Sequence, residues 1–169
     1  LQQHDEVLYE VPTEGELTVP RSVSLEKLGL TRGPGSDGLT ERVSFMQGDA
    51  CNLKPLFTGY DLVFAGNLID RLYDPRLFLD LVGDRIVPGG LLVLTSPYTW
   101  LEEYTPRDKW LGGRREHGEP LDTLTGIERI LAGRFTLEHR ADIPFVIRET
   151  ARKHQHSLAE MTVWRRRPG

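Results

Sequence analysis

The chain has 169 residues, 27% of them charged, and a formal net charge of −4. That length suffices to bury one real core, and the acidic balance argues against a nucleic-acid-binding surface; the basic triplet Arg165-Arg166-Arg167 reads as a solvated strand end. A single cysteine excludes an internal disulfide and fits a reducing compartment. No charged segment leads into an apolar leader, and no apolar run approaches the ~20 residues that a membrane span needs. The expectation is a soluble, cytoplasmic protein without membrane or nucleic-acid partners. Because the sequence starts at Leu1 rather than at a methionine, it also reads as a segment of something longer.

In chain order, Val7 to Glu10 and Glu16 to Val19 are β-prone runs separated by the turn sequence Pro12-Thr13-Glu14-Gly15, which predicts a hairpin. Thr31 to Gly38, rich in glycine, reads as a surface loop, since no apolar strand precedes it as a phosphate-binding loop requires. Val43 to Gln47 is predicted to be a strand ending at Gly48-Asp49-Ala50. Tyr60 to Gly66 is predicted to be a second strand, buried, followed directly by Asn67, Asp70 and Arg71. Asp74-Pro75 supplies an N-cap and a first-turn proline for a helix whose apolar residues run from Leu77 to Ile86.

Pro88-Gly89-Gly90 reads as a turn, and Leu91 to Leu94 as a short strand buried on both faces, as in a parallel sheet. A capping box at Thr125 and Glu128 opens a second helix, with a stripe of Leu124, Ile127, Ile130 and Leu131 closed by Gly133. Phe135 to Glu138, Ile143 to Ile147 and Met161 to Trp164 complete the strands, with a polar connection before the last. The fold class is therefore α/β: part of a doubly wound, Rossmann-like sheet, mostly parallel, closed by an antiparallel C-terminal strand.

In an open α/β sheet, ligands bind where loops leave the carboxyl ends of the strands. Here that edge would carry Asp49 and Ala50 after the first core strand, Asn67 and Asp70 after the second, and Ser96, Tyr98 and Tyr104 after the third. An acid at such a strand end accepts from an amine or a ribose hydroxyl, and the neighbouring backbone N–H donates to a ring nitrogen. Gly-Asp is equally common as a simple turn.

The residues QGDACNL, NLIDRLYDP, GGLLVLTSPYTWLEEYTP, WLGG and PFVIRETARKHQHS carry a family resemblance along nearly the whole chain. The strand-end pattern resembles the second half of a class I S-adenosylmethionine-dependent methyltransferase. The longer phrases resemble the methyltransferase domain of ovothiol biosynthesis, the 4-mercaptohistidine N1-methyltransferase family, often fused behind a sulfoxide synthase. The resemblance implies one methyltransferase-like domain over residues 1–169 that lacks the amino-terminal glycine-rich cofactor-binding unit. It also implies S-adenosylmethionine as cofactor, with Asp49, Ala50 and Asn67 on the adenine side, a thiol-bearing histidine as substrate, and a sulfoxide synthase as partner in the pathway or chain.

Methyl transfer to an imidazole nitrogen is an in-line displacement from a sulfonium, so the protein supplies position, a neutral nucleophile and electrostatics. Arg148 is the candidate for the substrate carboxylate, or else a surface ion-pair partner of Glu149 or Glu102. Tyr98 and Tyr104 bound the imidazole or simply pack, and Asp70 orients its N–H or caps a helix. The substrate sulfur meets either the Tyr98 hydroxyl or a cation in the Arg148 to His154 segment. His154 and His156 lack companions of metal-ligand spacing, so no metal is expected. Cys51 reads as a small buried thiol, and Trp100, Trp110 and Trp164 as packing residues. Two further readings stay open: a non-catalytic methyltransferase-like scaffold module, and a nucleotide-dependent oxidoreductase, which would want a glycine fingerprint.

Overall fold

The computed structural model describes residues 6–24, 26–28 and 43–168; the glycine-rich loop expected at 31–38 lies outside them. The chain forms two compact units, one of residues 1–47 and 146–156, the other of residues 48–145 and 157–169.

In the first unit, β1 (Glu6–Glu14) and β2 (Leu17–Ser24) form the expected hairpin, paired antiparallel from Glu6–Ser24 to Glu14–Leu17. The turn is tighter than the sequence suggests. Pro12 and Glu14 stay in the strand, across a register shift, and Gly15, at φ +55°, makes the reversal. Residues 43–47 were expected to be a strand but have no regular structure, and Val43, Phe45 and Met46 are exposed. Among the described residues no strand pairs with them, and pairing rather than propensity makes a strand.

The second unit is built on a four-stranded sheet in the order β3 (Tyr60–Gly66), β4 (Ile86–Ser96), β8 (His154–Arg166), β7 (Phe135–Arg148). β3 and β4 are parallel, in register from Leu62–Leu91 to Gly66–Thr95, and β8 enters antiparallel to β4, from Leu91–Arg165 to Ser96–Glu160. The expected antiparallel closing strand is thus present. It lies inside the sheet, between β4 and β7.

Helices α1 (Pro75–Val82) and α2 (Thr123–Leu131) bury one stripe each. Phe78, Leu79, Val82, Ile127 and Leu131 join Ala65, Leu92, Leu94 and Trp164 in one core cluster. Asp74 caps α1 as expected, accepting from Leu77 N–H, with Pro75 at its first position. For α2 the cap is Asp122, three residues before the expected box, accepting from both Thr125 N–H and Thr125 Oγ1. Thr125 is therefore the recipient of the cap. The rest of the stripe lies where the sequence places it.

Three expectations about β4 and its surroundings are corrected. Ile86 opens the strand rather than closing α1, because a 3₁₀ turn at Gly83–Arg85 ends the helix early. Pro88-Gly89-Gly90 is a bulge within β4: pairing skips from Tyr60–Ile86 to Leu62–Leu91, Gly89 sits at φ +80°, and a Cβ on Gly90 would lie 2.9 Å from the Asp61 carbonyl oxygen. The arginine triplet is also not simply solvated. Arg165 donates to Gly89 O and to Glu138, Arg166 to Ile86 O, and Arg167 N–H to Arg134 O. The bulge leaves carbonyls without ladder partners, and the guanidinium groups satisfy them.

β3 was expected to be buried. It is the sheet's edge, and of its residues only Ala65 is buried.

Candidate functional site

Because β3 and β4 are parallel and paired to Gly66–Thr95, the loops after them leave from one edge. Asn67 takes the left-handed conformation at φ +49°, one that asparagine tolerates. There its N–H donates to Thr95 O at 2.8 Å and its Oδ1 accepts from Thr95 Oγ1 at 3.1 Å. This lock turns the chain into the 3₁₀ turn Ile69–Arg71.

Asp70 lies in that turn and is 1% exposed. Its Oδ1 accepts from Ser96 Oγ at 3.0 Å, while its Oδ2 accepts from Thr99 N–H and Thr99 Oγ1, each at 3.0 Å, and from Arg71 at 2.9 Å. A buried carboxylate needs this many donors to offset its lost hydration. The result is a clasp. One side chain from the β3 loop gathers the β4 loop around itself, and Arg71 closes it by donating to Thr99 O at 2.8 Å. The Arg71 guanidinium also lies 5.0 Å from the centre of the Tyr104 ring.

Tyr98 stands in this wrapped loop at φ +53°, a costly conformation for a bulky residue. Its N–H donates to Ser96 Oγ at 3.0 Å, and its hydroxyl donates to Glu160 Oε2 at 2.7 Å. Glu160 in turn accepts from Arg140 Nε at 2.5 Å. Burial first, and then the Glu160 carboxylate, hold the phenol protonated far above the ordinary tyrosine range. The hydroxyl expected to meet a substrate sulfur is therefore already donating elsewhere.

Asp49 caps the 3₁₀ turn Ala50–Asn52, accepting from Cys51 N–H at 2.9 Å, and its second oxygen accepts from the Tyr73 hydroxyl at 2.9 Å. That bond pushes Tyr73 up to about 12. Cys51 is buried, its thiol raised by burial and donating to Asp74 O at 3.2 Å. This arrangement ties the Asp49 turn to the start of α1. Tyr104 is 44% exposed, and its hydroxyl is raised by a bond to Glu103.

The candidates Asp49, Ala50, Asn67, Asp70, Tyr98 and Tyr104 all belong to the second unit; Arg148 belongs to the first. Arg148 pairs with neither Glu149 nor Glu102 among the described ion pairs; its Nε donates to Thr150 O, and Glu149 pairs with Lys153. Sequence reading named Arg71 only by its place after the strand and did not single out Thr95, Thr99, Tyr73, Glu160 or Arg140. Thr99 adjoins Tyr98, which was named, so its proximity was legible. Glu160 and Arg140 reach the site across the sheet, and no local pattern marks them.

Trp100 is 8% exposed, donates to Thr123 Oγ1 and stacks on Trp110 at 6.2 Å, while Trp164 is 2% exposed. All three tryptophans pack, as expected. Beside them a separate cleft of about 300 Å³ is lined by Asp74, Lys109, Trp110, Arg114, Glu116 and Arg129, among others, and shares no residue with the Asp70 clasp. Within its lining Lys109 pairs with Asp74, and Arg114 and Arg129 pair with Glu116. Among the described residues no group of three His, Cys, Asp or Glu side chains gathers as a metal site, and no helix is long and apolar enough to cross a membrane.

No protein-family model matches the chain, and no curated protein matches it in sequence. Solved structures do match in fold. The [4+2]-cyclase SpnF aligns with TM-score 0.51 at 16% identity, covering 86% of this chain and 61% of SpnF. A SAM-dependent methyltransferase from Methanosarcina mazei aligns with TM-score 0.48 at 16% identity, covering 85% of this chain and 76% of that one. The N-methyltransferase NodS from Bradyrhizobium japonicum, in complex with S-adenosyl-L-homocysteine, aligns with TM-score 0.46 at 17% identity, covering 83% and 61%. The chain thus spans about three-fifths of SpnF and of NodS. The likeness to SpnF is one of fold: a mixed α/β unit with a central sheet.

Proposed function

We propose that this chain is the carboxyl-terminal portion of an S-adenosylmethionine-dependent N-methyltransferase that methylates an imidazole nitrogen of a thiol-bearing histidine. The observation that carries the reading is the edge shared by β3 and β4. Asn67, the Asp70 clasp and the Tyr98 loop stand together where the fold class binds ligands. The motif resemblance supports the substrate.

The residues present fit the adenine end of the cofactor. Asp49 is exposed, and of the roughly four acceptor positions of a carboxylate, protein donors take one on each oxygen. It retains capacity to accept from an amino group, and by the resemblance the Ala50 N–H and Asn67 complete the adenine side. When bound, the cofactor supplies an electrophilic methyl group on a sulfonium. The chain's part is to orient the acceptor nitrogen and exclude water. Asp70 serves by holding the Ser96–Thr99 loop, because its oxygens are committed to protein donors. It is a positioning residue.

With a glycine-rich cofactor-binding unit supplied at the amino end of the chain, incubation with methyl-labelled S-adenosylmethionine tests the proposal. The expected result is label on the ring nitrogen of 4-mercaptohistidine and little on histidine. No label on any imidazole, or equal labelling of both, would overturn it. Calorimetry with S-adenosylhomocysteine should show binding weaker than low micromolar, since only the adenine end is provided for here while the ligand still loses its freedom.

A further inference from the structure

Glu160 is 10% exposed at its side chain and is shared between Arg140 and Tyr98, one oxygen to each. It lies opposite Ser96 in the β4–β8 register, at the same edge as the Asp70 clasp. A carboxylate accepts and cannot donate, so the bond between Tyr98 and Glu160 has one direction: the phenol proton points at Glu160. What remains on the phenol oxygen is acceptor capacity alone. Arg140 donates to the other oxygen, so both carboxylate oxygens of Glu160 act as acceptors. The loop adds rigidity. The Tyr98 backbone is held by Ser96, itself held by Asp70, and turning the hydroxyl proton outward would break the part-buried bond to Glu160.

We propose that Glu160 and Arg140 set the hydrogen-bond polarity of Tyr98, so that this edge selects a ligand group that donates, such as an imidazole N–H, over one that only accepts, such as a thiolate. The proposal rests on the methyltransferase reading for the identity of the ligand, and it revises the role of Tyr98 within that reading. Tyr98 meets the ring nitrogen that keeps its hydrogen, and the sulfur is recognised by some other group. The other ring nitrogen is then left with its lone pair, the form required for attack on a methyl group.

Two measurements separate the polarity from the ligand. The chain has five tyrosines, so ¹³C labelling at the ring carbon bearing the hydroxyl gives few signals, and Tyr98→Phe assigns one of them. That signal should stay in its protonated position while an ordinary tyrosine titrates near pH 10. In Glu160→Gln it should titrate lower than in the unaltered protein, though still above the ordinary ones, because burial remains. A Tyr98 that titrates normally in the unaltered protein, or is unchanged in Glu160→Gln, overturns the proposal. Arg140→Gln, which leaves the Glu160 side chain in place and removes a cation that favours the phenolate, gives a second variant should the first fail to fold; Tyr98 should stay protonated at least as far up the pH scale as in the unaltered protein, and a lowered titration would count against the proposal.

In the second measurement, 4-mercaptohistidine is compared with its thiazole counterpart, which has no ring N–H. The thiazole should bind about fivefold more weakly, the loss of one neutral hydrogen bond, and Glu160→Gln should erase the difference. Equal binding by the unaltered protein overturns the donor selection. Failure of both compounds to bind, with Tyr98 still held protonated, overturns the thiol-histidine reading instead.

Discussion

The two faces of the four-stranded sheet differ more than the two ends of any strand in it. On one face Ala65, Leu92, Leu94, Thr162 and Trp164 are buried, none more than 4% exposed, beneath α1 and α2. On the other, Leu62 and Phe64 are 52% and 62% exposed, while their register partners Leu91 and Val93 are only half-buried. Both sets are apolar. A parallel sheet usually has both faces covered, and here the described helices cover one. The comparison teaches that an apolar run records what a strand can bury, whereas the number of elements packed against it decides what it does bury.

The contrast is broken most directly by truncating Leu92, which is 0% exposed. Leu92→Ala should cost about 2–5 kcal/mol through lost transfer energy and a cavity, read from the denaturant midpoint of the second unit. At the polar edge of the same face, Asp70→Ala should cost about 3 kcal/mol, because Ser96, Thr99 and Arg71 lose a buried acceptor together. Hydrogen exchange at Thr99 N–H should quicken in parallel, and an unchanged rate would refute the clasp. A smaller loss, about 1–3 kcal/mol, is expected for Gly126→Ala, where the new methyl would lie 1.8 Å from Leu111 O and force α2 away from that segment.

Asp74→Ala removes the α1 cap and should cost about 1 kcal/mol. This effect carries a pH signature. The bond from Lys109, with the capped N–H groups, holds the Asp74 carboxyl below its usual value in the folded protein. A depressed folded pKa contributes stability above the unfolded value of about 4 and loses it as pH falls through the lower folded value. The gap between the unaltered protein and Asp74→Ala should thus be constant from neutral pH to about pH 5 and close below about pH 4. Solvent screening of the exposed Lys109 keeps the charge part of this small. Least of all, Phe64→Ser on the open face should change stability by no more than about 0.5 kcal/mol. A loss matching that of Leu92→Ala would erase the distinction between the faces.

Much of this was legible in the residues alone. Asp74-Pro75 and the stripes of α1 and α2 declare their helices, since capping chemistry and a 3.6-residue period act within a few residues of each other. The edge bearing Asn67, Asp70 and Ser96 follows because the parallel strands before them leave at one end. The bulge at Pro88-Gly89-Gly90 was not legible, because a turn and a bulge use the same residues and only the partner strand's register distinguishes them. Nor was the fate of 43–47, which has the composition of a strand but no regular structure.

Asp70 was named from the sequence as a ligand-facing group, yet its burial among Ser96, Thr99 and Arg71 makes it the clasp that holds the loop. Tyr98 was read as bounding an imidazole, meeting a sulfur with its hydroxyl or simply packing, and that hydroxyl donates to Glu160, 62 positions later. A side chain's identity determines which hydrogen bonds it can make, and that much the sequence states by itself. Which of them remain for a ligand depends on neighbours that β8 carries to the edge through the sheet, and only the tertiary structure decides that, because hydrogen-bond capacity is consumed by proximity in space.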